Sequence, residues 1–403
     1  MLPNSISGHR LSPQQTRLWL LMQESCVYRA QCAILLDGRI DTERLQEAVR
    51  SVMQRHDILR TSFERPPGLK VPLQVVADDG KPCWKTIDLK GLNFRKQEAG
   101  IEDQFLQQGR SRCDFEHGPL LRLSLIVLSD SQHVLMICLP SLCADSATLN
   151  LFTCELSAAY GLQNPRQDEE LQYANYADWQ YELTASKDEE AQEAASYWHR
   201  QSTLARPALR MPFADYAVQK TYDVNAVSHR FDPTVSFQLS EFGQTHDVTV
   251  GAILLACWQT LLWRVTGEPR QVVDVVFDGR NFAELQGGLG LFARPLPISC
   301  HLQGNAQFMA TVRQVHALLR EASDWQDYFG EGTQTRETNH EAMHGLRGAG
   351  FEFEVRPAPR RAADVTFSII KQYSCINRFQ IKLCCFQTDD TLLAMFYYLT
   401  FWR

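Results

Sequence analysis

The chain contains no CxxC, no GxGxxG, no P-loop and no GxSxG. Those absences remove the thiol redox motif, the dinucleotide and nucleoside-triphosphate loops, and the nucleophile elbow of α/β-hydrolases. No apolar run approaches the ~18 residues that would suggest a membrane span. The N-terminus, Met-Leu-Pro-Asn-Ser-Ile-Ser, has neither a basic flank nor a long apolar stretch, so it does not read as a signal peptide. Lys/Arg clusters with interleaved aromatics are missing too. The 40 basic and 47 acidic residues leave a net charge of −7, which argues against nucleic acid as a partner. The twelve cysteines are scattered apart from Cys384-Cys385. That pattern fits reduced thiols in a cytosolic protein better than a disulfide framework or a zinc site. His340 and His344 stand four apart, but no third ligand lies near and no metal site is assigned to them.

What is present is a large globular chain. Its 403 residues are 44% hydrophobic and 22% charged. That length suits two domains of roughly 200 residues. The boundary is placed near residue 185, in a helical stretch that begins at Gln172 and passes the acidic run Lys187-Asp-Glu-Glu190 on its way to Trp198. This divides the chain into 1–185 and 186–403. In the first half, Tyr28 to Leu36 reads as a strand. Asp41 then caps a helix whose Leu45, Ala48, Val49 and Val52 share one face. A polar helix is expected from Asn93 to Arg110, and a hairpin of buried strands at Leu120–Leu128 and His133–Leu139. The second half repeats the mixture. A strongly apolar helix runs from Gly251 to Val265, and Val272–Phe277 is a buried strand. Gly290–Ile298 is extended, Gln307–Glu321 is helical, and Thr333–Asn339 is a polar connection. Three closing strands are expected near 364–370, 378–386 and 392–400. Neither half shows the strict alternation of a doubly wound sheet, so two α+β lobes with mixed sheets fit best.

One stretch combines strand, tight turn and helix: Met136-Ile-Cys-Leu-Pro-Ser-Leu-Cys-Ala-Asp-Ser-Ala-Thr-Leu149. The apolar run stops at Pro140, a polar turn covers Ser141 to Asp145, and helical spacing follows. The turn has a carboxylate but no histidine.

Seven short segments, in this order, resemble the condensation domains of nonribosomal peptide synthetases, relatives of chloramphenicol acetyltransferase. Leu11-Ser-Pro-Gln-Gln-Thr-Arg-Leu-Trp19 is similar to the family's SxAQxRLW motif. Arg55-His-Asp-Ile-Leu-Arg-Thr-Ser-Phe63 is similar to RHExLRTxF, and Phe115-Glu-His-Gly-Pro-Leu-Leu-Arg122 to a motif ending in GPLLR. Tyr173-Ala-Asn-Tyr-Ala-Asp-Trp179 looks like YxDYAxW. Phe277-Asp-Gly-Arg280, Leu289-Gly-Leu-Phe-Ala-Arg-Pro-Leu-Pro297 and Trp325-Gln-Asp-Tyr-Phe329 resemble the later motifs. The resemblance implies two chloramphenicol-acetyltransferase-like lobes forming a V around a central tunnel, a pseudo-dimer. It also implies substrates thioesterified to 4'-phosphopantetheine on carrier proteins, with no cofactor bound by the domain itself.

The same resemblance puts the family's HHxxxDG motif on Pro140-Ser-Leu-Cys-Ala-Asp145-Ser146. Pro140 and Ser141 stand where the family has its two histidines, Ser146 where it has glycine, and Asp145 matches. The family's Asp is tied down by an arginine, for which Arg280 and Arg60 are the candidates here. Arg294 replaces the Asn of a later motif. A guanidinium there has three readings: a grip on a substrate carboxylate, a partner for Asp145, or a plug. Ser141, Cys143 and Asp145 are the candidate reacting groups of the turn. A serine hydroxyl cannot take an amine's proton near neutral pH without a base beside it. A thiolate at Cys143 would be a competent nucleophile, but the turn's pattern reads as a small buried residue. Asp145 would need desolvation to act as a base.

Two functions follow as expectations. In the first, the chain is a noncanonical condensation-type domain. It binds carrier-tethered acyl or aminoacyl groups and serves as a docking or recruitment platform, without standard His-dependent amide formation. In the second, it is a divergent acyltransferase that condenses or modifies phosphopantetheine-bound substrates without the usual histidine. The partners implied are carrier proteins, neighbouring synthetase domains or a tailoring enzyme, in a cytoplasmic setting. The last strand stops close to Arg403, where the family continues into a closing helix, so an excised domain is also expected.

Overall fold

The computed structural model describes residues 8–22, 27–162, 171–203, 209–212, 224–330, 346–388 and 391–399. The polar segment Thr333–Asn339 and the pair His340/His344 lie outside the described residues. The chain forms two compact units, each a mixture of helices and one six-stranded sheet. Unit 1 comprises Met1–Glu182, Arg280–Ala293 and Pro357–Ile376; unit 2 comprises Leu183–Gly279, Arg294–Arg356 and Asn377–Arg403. Two segments from the second half of the sequence therefore belong to unit 1.

Unit 1 contains β1 (Arg29–Asp37), β4 (Cys83–Asp88), β5 (Arg122–Val127), β6 (Gln132–Pro140), β11 (Arg360–Ala362) and β12 (Val365–Ser374) in the order β11-β12-β1-β6-β5-β4. β1 and β6 are its centre and are paired antiparallel, with Ala33 opposite Met136 and Ile34 opposite Leu135. The period-2 alternation of a strand sends these two pairs to opposite faces. Ala33, Ile126, Val134 and Met136 pack with Phe105 of α3 (Phe94–Arg110). α4 (Ser146–Tyr160) lies against β12, β11 and β1, and against α2 (Thr42–Arg55). Asp41 caps α2 by accepting from the Arg44 N–H, and Asn93 caps α3 in the same way at Lys96. The short hairpin β2 (Thr61–Glu64) and β3 (Leu73–Val76) stands apart from the large sheet.

Unit 2 has the order β7-β14-β13-β10-β8-β9, from β7 (Val224–Arg230), β8 (Arg270–Phe277), β9 (Arg294–His301), β10 (Leu346–Val355), β13 (Arg378–Gln387) and β14 (Leu392–Leu399). Its core joins Val273, Val275, Leu296, Ile298, Phe351 and Leu383 of the sheet to α8 (Val250–Thr266) and α9 (Phe308–Asp324).

The structure departs from the sequence expectation at four places. The stretch read as one helix from Gln172 to Trp198 is two, α5 (Tyr173–Ala185) and α6 (Glu189–Thr203). Asp188 separates them by accepting from the Ala191 N–H at 2.8 Å and from the Ser186 hydroxyl at 2.7 Å, which caps the second helix. β4 and β10 were not expected. β4 is a half-exposed edge strand carrying exposed Lys85, the usual guard against further pairing. β10 reads Leu-Arg-Gly-Ala-Gly-Phe-Glu-Phe-Glu-Val and lacks an apolar run, yet it pairs parallel with both β13 and β8. Gly350 suits that place because a Cβ there would come within 2.8 Å of the Phe379 ring. The region expected to be extended from Gly290 becomes strand only at Arg294.

Gly290 has φ +153, and a Cβ on it would fall 2.1 Å from the ring of Tyr173. Gly267, which ends α8 at φ +73, has open space around it. Gly267→Ala is therefore expected to cost only about 1 kcal/mol, and Gly290→Ala considerably more. Urea denaturation followed by circular dichroism measures both; equal losses would mean that Gly290 is not packed against α5.

Candidate functional site

The turn after β6 is held from three sides within unit 1. Ser141 donates its N–H to Tyr28 O at 3.2 Å and its hydroxyl to Cys375 O at 2.8 Å. The Cys143 N–H closes the turn on Pro140 O at 2.9 Å. Gln15 of α1 (Pro13–Met22) donates Nε2 to Leu142 O at 2.8 Å and to Gln74 Oε1 at 3.1 Å. Gln15 is itself fixed by a reciprocal cap. The Ser12 N–H donates to Gln15 Oε1 at 3.0 Å and the Gln15 N–H to Ser12 Oγ at 3.1 Å. This is a capping box, Ser-x-x-Gln, whose glutamine uses its remaining donors to grip the turn. Ser141, Leu142, Cys143 and Asp145 have no exposed surface.

Asp145 is the densest point. It is the N-cap of α4. Oδ1 accepts from the Thr148 N–H at 2.8 Å, Thr148 Oγ1 at 2.8 Å and Arg280 Nη2 at 3.1 Å. Oδ2 accepts from Arg280 Nη1 at 3.1 Å, the Phe292 N–H at 2.9 Å and the Ala293 N–H at 2.9 Å. A carboxylate offers about four lone-pair positions, so six donors saturate it. Thr148 Oγ1 lies between Asp145 Oδ1 and Gly290 O, at 2.8 and 2.7 Å, and its single proton serves either. It also accepts from the Gly290 N–H at 3.1 Å and Arg280 Nη2 at 3.0 Å. The Arg280 guanidinium donates Nε to Gly288 O at 3.0 Å and stacks over the Phe292 ring at 4.4 Å. Phe292 in turn meets Tyr173 and Tyr176 of α5 with ring centroids 5.1 and 4.5 Å away. The segment Arg280–Ala293 is thus a loop clasped at its two ends by one buried carboxylate.

The remaining candidates take the following places. Pro140 ends β6 and is buried. Ser146, at the first turn of α4, accepts from Gln372 Nε2 at 2.8 Å. Cys143 is enclosed, and burial pushes its thiol well above the ordinary range, so it is a neutral thiol near neutral pH. Arg60 binds the Asp57 carboxylate and the Ala77 carbonyl; the arginine at Asp145 is Arg280. Arg294, in unit 2, donates to Gln326 O at 2.9 Å and Asp327 O at 3.0 Å and pairs with the Asp327 carboxylate at 3.2 Å. A carboxylate of the chain itself thus faces that guanidinium. Among the described residues no group of three or more His, Cys, Asp and Glu is placed to hold a metal ion. His340-Glu-Ala-Met-His344, which has the HExxH spacing of helical zinc sites, lies outside them.

Two residues of the site were not singled out from sequence, Gln15 and Thr148. Gln15 has a local signal, the Ser-x-x-Gln pattern ahead of an apolar helix. Thr148 has one as well, three residues after a capping Asp. Their partners across the fold leave no trace in either pattern.

A family model described as Condensation domain matches residues 8–401. Chondramide synthase of Chondromyces crocatus is 29% identical over 327 residues, covering 79% of this chain and 8% of that protein. A linear gramicidin synthase polypeptide of Brevibacillus parabrevis is 30% identical over 338 residues, covering 81% and 6%. The chain thus spans less than a tenth of the length of these two relatives. Among solved structures, the condensation domain from the monacolin K polyketide synthase MokA superposes with a TM-score of 0.82 at 20% identity, covering 98% of this chain and 92% of that one. The complex of the X-domain and OxyB from teicoplanin biosynthesis contains a chain that superposes with a TM-score of 0.75 at 20% identity, covering 98% and 89%.

Removing one partner of a buried ion pair costs about 3–5 kcal/mol. Arg280→Met is expected to destabilise unit 1 by that much in urea denaturation, and a loss below about 1 kcal/mol would show that the pair is solvated. Cys143 is expected to resist iodoacetamide in the native protein at about pH 8.5, while the exposed Cys83 is alkylated. Peptide mass mapping reads both sites, and equal labelling would mean an open turn.

Proposed function

The chain belongs to the condensation-domain family, and from that premise we propose that it works within a nonribosomal peptide synthetase as a binding platform for carrier-tethered acyl or aminoacyl groups, without His-dependent amide formation. The observation that carries this reading is the state of the turn's own polar groups. Amide formation from a thioester needs a group that handles the proton of the attacking amine. Asp145 accepts five hydrogen bonds and shares the Thr148 hydroxyl proton with Gly290 O, the Ser141 hydroxyl donates to a backbone carbonyl, and the Cys143 thiol is buried and neutral. The carboxylate and the hydroxyl are committed to holding the turn, and the thiol has no thiolate to offer. General acid–base catalysis contributes about 10²–10⁴-fold, and a turn with no group left for it keeps only positioning.

The substrates on this reading are acyl or aminoacyl thioesters of the 4'-phosphopantetheine arm, brought by carrier proteins. The likeness to chondramide synthase and linear gramicidin synthase supports that class. A tailoring enzyme is the further partner, and support comes from the X-domain, a structural neighbour solved as a complex with OxyB. A cytoplasmic location accords with such a partner set.

The test is reconstitution. The cognate carrier is loaded with its aminoacyl group, the adjoining module is added, and the intact mass of the carrier is followed with and without this protein. Carrier binding with no dependence of bond formation on this protein is expected, and Ser141→Ala and Cys143→Ala should bind as well as the parent. Bond formation that requires the protein and is abolished by Ser141→Ala or Cys143→Ala would replace the platform by an acyltransferase.

A further inference from the structure

The chain passes between its two units at five points: Glu182–Leu183, Gly279–Arg280, Ala293–Arg294, Arg356–Pro357 and Ile376–Asn377. Three of these crossings are anchored by the Ser141–Asp145 turn, on the unit 1 side. Asp145 binds Arg280, the first residue after the second crossing, through two nitrogens at 3.1 Å. It also binds the Phe292 and Ala293 N–H groups, the last residues before the third crossing, at 2.9 Å each. Ser141 binds the Cys375 carbonyl, one residue before Ile376, at 2.8 Å. The Cys375 N–H is in turn held by Arg29 O at 3.0 Å, so that chain end is gripped from both sides. Each anchored crossing adjoins a strand of the unit 2 sheet. β8 ends at Phe277, β9 begins at Arg294 and β13 begins at Arg378.

We propose that the Ser141–Asp145 turn is a mechanical anchor for three chain crossings, so that a change at the turn is transmitted through Arg280, Ala293 and Cys375 into β8, β9 and β13 of unit 2. The chemistry favours transmission over local absorption. All the atoms of the anchor are buried, and a buried group that loses its partner cannot substitute water for it. The leads are short. Two residues separate Phe277 from Arg280, none separates Ala293 from Arg294, and two separate Cys375 from Arg378. The three anchors are also distinct in kind: an ion pair, a pair of backbone donors and a hydroxyl–carbonyl bond. The Ser141 bond can therefore be removed separately from the two that share Asp145. This inference goes beyond the functional reading and does not depend on whether the turn performs chemistry.

Hydrogen–deuterium exchange by mass spectrometry on the full chain tests it. Ser141→Ala removes only the bond to Cys375. Exchange is expected to rise about tenfold or more at the start of β13, with β8, β9 and the other crossings unchanged. Asp145→Asn turns one of the two acceptor oxygens into an NH2 donor and removes the charge, so Arg280 and the Phe292 and Ala293 N–H groups can no longer all be satisfied. It is expected to raise exchange at the end of β8 and the start of β9. Peptides across Glu182–Leu183 and Arg356–Pro357 are the internal controls. A rise confined to unit 1, or an equal rise at all five crossings, would overturn the proposal. Should Asp145→Asn not fold, Ser141→Ala carries the test alone through its effect on β13 against the two controls.

Discussion

Asp145 is a carboxylate with no exposed surface and six hydrogen-bond donors around it. Removing an ion from water is costly unless pairing and hydrogen bonding replace its hydration completely. Here they do, and the donors come from places far apart in sequence: Thr148 on the helix it caps, Arg280, and the backbone at Phe292 and Ala293. Much of the surrounding detail follows. Thr148 supports both the carboxylate and Gly290. Gly290 lacks a side chain because Tyr173 stands where a Cβ would go. Phe292 lies between the Arg280 guanidinium and the tyrosines of α5.

A turn built in this way keeps its shape for structural reasons, and its shape survives without reactive chemistry. Ser141 and Gln15 hold the other side of it through a carbonyl each, Cys375 and Leu142. Side chains that elsewhere would be read as nucleophile or base are engaged as struts. The platform reading rests on that engagement: proton transfer requires a lone pair or a proton that is not already placed in a buried hydrogen bond.

How far the sequence alone reaches can be judged element by element. α2 was visible because Asp41 is a capping residue and Leu45, Ala48, Val49 and Val52 repeat with helical period. The β5–β6 hairpin was visible from two apolar runs joined by a polar turn, and the end of β6 from Pro140. These are local signals. β10 was not visible, since its Gly and Glu residues give it neither an apolar run nor clean alternation; it is a strand because β8 and β13 flank it on both sides. The break at Asp188 was hidden inside a run that reads equally well as a solvated helix face. At the site, Asp145 and Arg280 came together only through the resemblance, because nothing local links residues 135 apart. The partner of Ser141 is a backbone carbonyl, which carries no sequence signal whatever. Arg294 admits three readings in the sequence, and its contacts with Asp327 and Gln326 depend on how the chain continues after α9 rather than on its own motif.

The central claim is that Asp145 and Arg280 act as one structural unit. A double-mutant cycle on folding stability tests it most directly, with Asp145→Asn, Arg280→Met and the double variant compared with the parent by urea denaturation. Each single change strands a buried group, whereas the double change removes both. The account predicts that the two losses fail to add by at least about 2 kcal/mol. Losses that add to within about 0.5 kcal/mol would show that the carboxylate and the guanidinium are independent and would contradict it.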